Sequence, residues 1–338
     1  MRTILTLRRA AAVGSLAVLA VACGSDGSES EADPAGPGPG QPTIVVTTDI
    51  LGDVVAQAVG DLADVEVIMP TGADPHDFAP SARQAESMEN ADLLVVNGAG
   101  FEEGMTDIIE LVESSGTPVF AFTDHVELLA FDDEEHADEA TDEASDEAIE
   151  DEEQEDEHAG DDPHFWTDPA RMITAVEAFG VEFGTLEGID ATVVDAQVQS
   201  YVDELVALDT EMEESLSSVP DEQRVLVTNH EVFGYFADRF DFEIVGAVIP
   251  SLTTSAEPST AEVEALADLI AQEQIPALFA DTSGSTRLAE AIATSAGSEV
   301  EIVLLFSESL GEPGSGAETY VAMMSTNATL IADALTPS

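Results

Sequence analysis

The chain has no lysine and a single cysteine, and its 8 basic residues, all arginine, face 71 acidic ones, for a formal net charge of -63. Nucleic acid is excluded as a partner by this balance, because phosphate binding draws on basic clusters that are missing here. One cysteine, Cys23, excludes both a disulfide framework and a thiolate metal site. The apolar stretch from Ala10 to Ala22 falls short of the roughly 20 residues that span a bilayer. The His-Glu-x-x-His pattern of many zinc hydrolases is also absent. The surplus of acid suits a salty or cell-wall environment, where screening relieves self-repulsion, and it concentrates cations near the surface.

What is present begins with an address. Arg2, Arg8 and Arg9 precede the apolar stretch, the layout of a secretory signal over residues 1–22. The segment Leu19-Ala20-Val21-Ala22-Cys23 is close to a bacterial lipobox, with the leucine one place early, so Cys23 is the expected site of lipidation. Residues 23–42 are rich in Ser, Gly, Pro, Asp and Glu and read as a flexible tether. The expectation is an extracytoplasmic protein, periplasmic or on the cell surface, held to the membrane by a lipid and folded from about Thr43.

Beyond that point the pattern is α/β. Branched apolar runs at Thr43–Thr48, Val65–Met69, Leu93–Asn97 and Pro118–Phe122 predict one small parallel sheet flanked by helices. Arg224–Thr228, Phe242–Val248, Ala277–Ala280 and Val300–Leu305 predict a second. Two lobes follow, residues 43–188 and 222–336. Between them, residues 189–218 contain neither Gly nor Pro, and Val194, Val198, Tyr201, Leu205, Leu208, Met212 and Leu216 recur at helical spacing. One long rigid linking helix is expected there. Residues 132–162 are mostly Asp and Glu, interrupted by His136 and His158, and predict a disordered insertion in the first lobe.

Three of the six histidines sit in Asp74-Pro75-His76-Asp77-Phe78, Asp162-Pro163-His164-Phe165-Trp166 and Thr228-Asn229-His230-Glu231-Val232. His76 and His230 follow predicted strands, at the strand ends where α/β sheets bind ligands. Pro163 restricts Asp162 to an extended shape, and Trp166 can wall the site from water. Three neutral imidazoles fit Zn2+, with a carboxylate or water completing the shell. Because ligating imidazoles must be neutral, affinity is expected to fall below about pH 6.5.

Further motifs occur at Thr47-Thr48-Asp49-Ile50-Leu51-Gly52, Pro70-Thr71-Gly72-Ala73, Ala91-Asp92-Leu93-Leu94-Val95-Val96-Asn97-Gly98, Phe233-Gly234-Tyr235-Phe236 and Thr319-Tyr320-Val321-Ala322-Met323-Met324. With the histidine segments, in this order, they make the chain from Thr43 onward resemble the solute-binding proteins of zinc and manganese ABC transporters, the ZnuA- and TroA-like group. The resemblance implies two lobes on one long helix with a metal in the cleft, and no enzymatic activity. It also implies an ABC permease and its ATPase as partners. The group's three histidine positions fall on His76, His164 and His230; histidine at the third is typical of zinc binders, whereas many manganese binders carry Glu. Zn2+ is therefore the expected cargo, with Mn2+ as the alternative. A fourth ligand, an Asp before Ser-Leu in the group, corresponds to Glu308 in Phe306-Ser307-Glu308-Ser309-Leu310, with Asp281 or water as substitutes. The resemblance assigns the acidic insertion a metal-collecting role; its composition alone equally reads as a solvated spacer in which His136 and His158 are incidental. Readings from other classes are a zinc hydrolase using Glu231 as general base, or a metal-stabilised adhesin with cell adhesion partners.

Overall fold

The computed structural model describes residues 40–131, 160–297 and 300–336, all within one compact unit, Pro37–Ser338. Cys23, the segment before it, most of the tether, and residues 132–159 of the insertion with His136 and His158 lie outside the described residues. Among the described residues no helix is long and apolar enough to cross a membrane.

The first lobe alternates β1 (Thr43–Val46), α1 (Asp49–Val59), β2 (Asp64–Val67), α2 (Ala82–Glu89), β3 (Leu93–Val96), α3 (Thr106–Ser115) and β4 (Val119–Ala121). The strands form a parallel sheet in the order β2-β1-β3-β4. Every residue of β3 is buried, as a sheet covered on both faces requires. The strand order reverses between β1 and β3, so a crevice opens at their carboxyl ends. Helix starts are set locally: Thr48 caps α1 by accepting from the Leu51 N–H at 3.2 Å, and Ser81 with Gln84 forms a capping box on α2.

A short antiparallel pair, β5 (Ala130–Phe131) with β6 (Gly160–Asp161), closes the base of the insertion. Gly160, Asp161 and Asp162, which fall within the expected disordered insertion, are ordered instead. Asp162 is buried, its N–H donating to the Leu129 carbonyl at 2.8 Å and its own carbonyl accepting from the Tyr235 hydroxyl at 2.6 Å. These long-range bonds order residues whose composition alone signals none.

Next come α4 (Pro169–Phe183) and the linking helix α5 (Ala191–Leu216), whose 26 residues run about 39 Å at 1.5 Å per residue. Its buried stripe is Val194, Val198, Tyr201, Val202, Leu205, Leu208, Met212 and Leu216. The second lobe holds β7 (Val225–His230), α6 (Gly234–Phe240), β8 (Glu243–Ile249), α7 (Thr260–Glu273), β9 (Ala277–Asp281), α8 (Arg287–Ala296), β10 (Glu301–Leu305) and α9 (Tyr320–Leu335). The four strands expected to form one sheet are hydrogen-bonded as two parallel pairs, β7 with β8 and β9 with β10, and β7 packs beside β9. The β7–β8 register shifts between Leu226 and Val227, leaving Val245 as an extra residue on β8, a bulge that bends and twists the pair away from a regular ladder.

Both lobes pack on α5. One buried cluster runs from Ile44 and Val54 through Phe179, Leu205 and Met212 to Phe236, Phe279 and Met324, so the lobes share a core, while each also closes a smaller cluster of its own, around Val45, Leu94 and Met105 in the first and around Val227, Ile270 and Leu278 in the second. Two of the few cations brace the same region. Arg171 of α4 pairs with Asp168 at 2.6 Å and with Asp238 of α6 at 3.0 Å, and Arg239 of α6 reaches Asp209 of α5 at 2.7 Å. The lobes are thus held by apolar packing and ion pairs behind the crevice.

Candidate metal centre

The two Asp-Pro-His triplets adopt the same local device. In the loop after β2, Asp74 Oδ1 accepts from the backbone N–H of His76 at 3.0 Å, and ahead of α4 Asp162 Oδ1 accepts from that of His164 at 2.9 Å. An Asx turn across a proline fixes the backbone, so the imidazole that follows leaves each loop in a set direction. His230 arrives differently. The strand expected to stop at Thr228 continues to His230, which pairs with Ile249 of β8 and presents its ring at the strand's end.

Glu308 follows β10 on a loop pinned on both sides. Ser307 donates to Asp281 Oδ2 through its hydroxyl and, at 3.2 Å, its N–H, while its carbonyl accepts from Trp166 Nε1 at 2.9 Å. Ser309 Oγ donates to Asp49 Oδ2 at 2.7 Å and accepts from the Gly72 N–H at 2.7 Å. Asp49 and Gly72 belong to the first lobe, so this loop is tied across the cleft.

The result is a buried group of His76, His164, His230 and Glu308 whose ligand atoms all lie within 4.8 Å of one another. Glu308 Oε1 stands 3.1 Å from His76 Nε2, 3.0 Å from His230 Nε2 and 3.6 Å from His164 Nε2. From its pinned loop the Glu308 carboxylate thus reaches the cluster. Asp281 is not in it: its oxygens are taken by Ser283 and Ser307. Glu231 is not in it either. Phe101 meets the His76 and His164 rings edge-on at 5.2 and 5.6 Å and packs on Trp166 at 4.7 Å, forming the apolar wall.

Electrostatics follow from this burial. The His164 environment opposes the imidazolium by desolvation, but Asp162 at Nδ1, 2.8 Å away, and Glu308 outweigh it and raise the pKa to about 9. The onset of protonation expected near pH 6.5 is therefore moved upward at this residue. Burial would also raise the carboxyl of Glu308, yet His230, His164 and His76 together hold it well below the ordinary range. His164 Nε2 and Glu308 Oε2 are buried without hydrogen-bond partners among the described residues. Buried polar atoms left unpaired need an explanation, and a cation held by three nitrogens and a carboxylate supplies one.

Two supporting residues, Glu102 and Glu103, stand outside every motif read in the sequence. Glu102 is buried and accepts from the Asn97 N–H at 2.6 Å, Thr47 Oγ1 at 2.7 Å and the Gly98 N–H at 3.2 Å; burial raises its pKa against those bonds. Asn97 Nδ2 in turn donates to the Pro163 carbonyl at 3.0 Å, joining this loop to the second Asp-Pro-His. Glu103 Oε1 lies 3.0 Å from His76 Nδ1. A cavity of about 420 Å³, bordered by His76, Glu103, Asp161, Pro163, Ser251 and Glu262, lies beside this pair.

The family model for ZnuA, the periplasmic zinc-uptake complex component A, matches residues 44–334. The chain belongs to this family. Within it, the chain is 28% identical over 300 residues to the zinc-binding protein TroA of Treponema pallidum, covering 88% of this chain and 89% of that protein. It is 24% identical over 312 residues to the manganese-binding lipoprotein MntA of Halalkalibacterium halodurans, covering 92% and 93%. The solved structure of the periplasmic zinc-binding protein TroA of Treponema pallidum superposes with a TM-score of 0.76 at 28% identity, covering 88% of this chain and all of that one. A ZnuA-family chain with this likeness carries the two-lobed α/β architecture read from its sequence.

Proposed function

We propose that the chain is the metal-capturing component of an ABC uptake transporter, taking Zn2+ from outside the cytoplasm and delivering it to a membrane permease driven by an ATPase. In this reading His76, His164 and His230 ligate through Nε2, and Glu308 supplies the fourth donor. The observation that carries it is the convergence of three imidazoles and one carboxylate, from both lobes, in a buried cluster. Four protein donors fill a tetrahedral zinc shell, whereas a hydrolytic zinc keeps one position for water. That argues for holding an ion rather than for catalysis, as does membership in a family of solute-binding receptors.

Three nitrogen donors favour Zn2+ over Mn2+, which prefers harder oxygen ligands and higher coordination. Mn2+ remains the second reading because a relative of similar likeness is named as a manganese-binding lipoprotein. The lipoprotein names of such relatives also support anchoring through Cys23.

Calorimetric titration of His76→Ala and His230→Ala tests the ligand set. Both variants are expected to lose zinc affinity by orders of magnitude while folding normally. Near-normal binding in both overturns the assignment. Competition of Zn2+ against Mn2+ on the unaltered protein, with stronger retention of Zn2+ expected, decides the cargo.

A further inference from the structure

The two Asp-Pro-His triplets are identical in sequence but not in how they treat the ring. Asp162 Oδ1 serves both the backbone N–H of His164 and its Nδ1 at 2.8 Å. Asp74 does not repeat this: Oδ1 takes only the His76 N–H, and Oδ2 accepts from Thr254 Oγ1 at 2.7 Å across the cleft. Nδ1 of His76 is met instead by Glu103, from the loop that follows β3. His230 has no such partner; its Nδ1 is buried and unpaired among the described residues.

We propose that Glu103 is a positioning residue for the metal centre, fixing His76 as the Nδ1–H tautomer so that Nε2 faces Glu308. The proposal rests on His76 being a ligand, as argued above. A neutral imidazole carries one N–H; Glu308 Oε1, 3.1 Å from Nε2, draws it to that nitrogen in the metal-free ring, and the acceptor at Nδ1 competes to hold it on Nδ1 and leave the Nε2 lone pair for the metal. Carboxylates in this position also make the ligating nitrogen more basic. The loop is built for the contact. Gly104 packs so closely on the His76 loop that a Cβ would stand 2.3 Å from the Phe78 carbonyl oxygen, and Glu103 opens the 3-10 turn Glu103–Met105. The Glu103 side chain is 43% exposed while that of His76 is 2% exposed, so Glu103 reaches the ring from the solvent side and is not itself part of the packed core.

The test uses the full chain with Glu103→Ala, Glu103→Gln and His76→Ala, read by zinc competition titration, thermal unfolding of the metal-free protein, and 15N spectra of the His76 ring above neutral pH. Glu103→Ala is expected to lower zinc affinity about 10–100-fold, the usual cost of losing such a partner. Glu103→Gln, which keeps an acceptor, is expected to recover part of the loss. The unfolding temperature should stay unchanged, and His76 should pass from one tautomer to a mixture. Affinity within about twofold of the parent in Glu103→Ala, with His76→Ala crippled, overturns the positioning role alone. Lost affinity with an unaltered tautomer overturns it too. Normal zinc binding by His76→Ala removes the ligand reading beneath it.

Discussion

Tyr235→Phe isolates one hydroxyl that joins the lobes beside the proposed metal centre. The side chain comes from α6 of the second lobe and is fully buried. Its hydroxyl donates to the Asp162 carbonyl at 2.6 Å and accepts from the Leu129 N–H at 3.0 Å, the two residues that bracket the base of the insertion. Phenylalanine preserves the ring and its contact under the Arg171 guanidinium, 4.7 Å from the centroid. What is lost is therefore the pairing of two backbone groups, at a cost of about 1–3 kcal/mol for each one left unsatisfied. Leu129 is only partly buried and water can reach it, so the sum is taken at the lower end, about 2–4 kcal/mol. For a chain of this size that corresponds to an unfolding temperature lower by on the order of 5 °C. Zinc affinity is expected to fall as well, because Asp162 holds the His164 ring. Calorimetric unfolding of the metal-free variant beside the parent measures the first effect. An unfolding temperature within about 1 °C of the parent refutes the claim that this hydroxyl orders the segment.

Two other perturbations reach the same centre. With its pKa raised to about 9, His164 is protonated at neutral pH in the metal-free protein and, in the proposed role as an Nε2 ligand, has to release that proton on binding. Zinc affinity should thus rise about tenfold per pH unit between pH 7 and 9 from this residue alone. Titrations in buffers of different ionisation enthalpy should show a proton released at pH 7, and a flat profile without release contradicts the reading. The same shift stabilises the metal-free fold fully below the ordinary value near 6.5, and that contribution is lost as pH rises through about 9. Gly104→Ala should destabilise the fold by about 1–3 kcal/mol and weaken zinc binding, since the obstructing atom is the Phe78 backbone oxygen, two residues past His76. Urea unfolding as stable as the parent contradicts that.

The parts legible in the sequence were those encoded by neighbours along the chain. All eight main strands lie within one or two residues of the runs of branched apolar residues, and α5 matches its uninterrupted stripe. The Asp-Pro-His triplets were readable because an Asx turn with a proline acts over two residues. What escaped depends on partners far away. Glu308 is brought in by Ser307 and Ser309, tied to Asp281 and to Asp49, so its reach could not be judged from Glu against Asp. Glu103 meets His76 only after β3 is placed beside β1. The order at Gly160–Asp162 comes from Leu129 and Tyr235, and the extension of β7 to His230 from pairing with β8. Such contacts leave no periodicity to detect.

The most direct test is X-ray absorption at the zinc edge of the protein loaded with one equivalent of Zn2+. The account predicts a four-coordinate shell at about 2.0–2.2 Å with the outer scattering of three imidazoles and one light oxygen donor. A shell of oxygens alone, or one with a single imidazole, would contradict a centre built from His76, His164, His230 and Glu308.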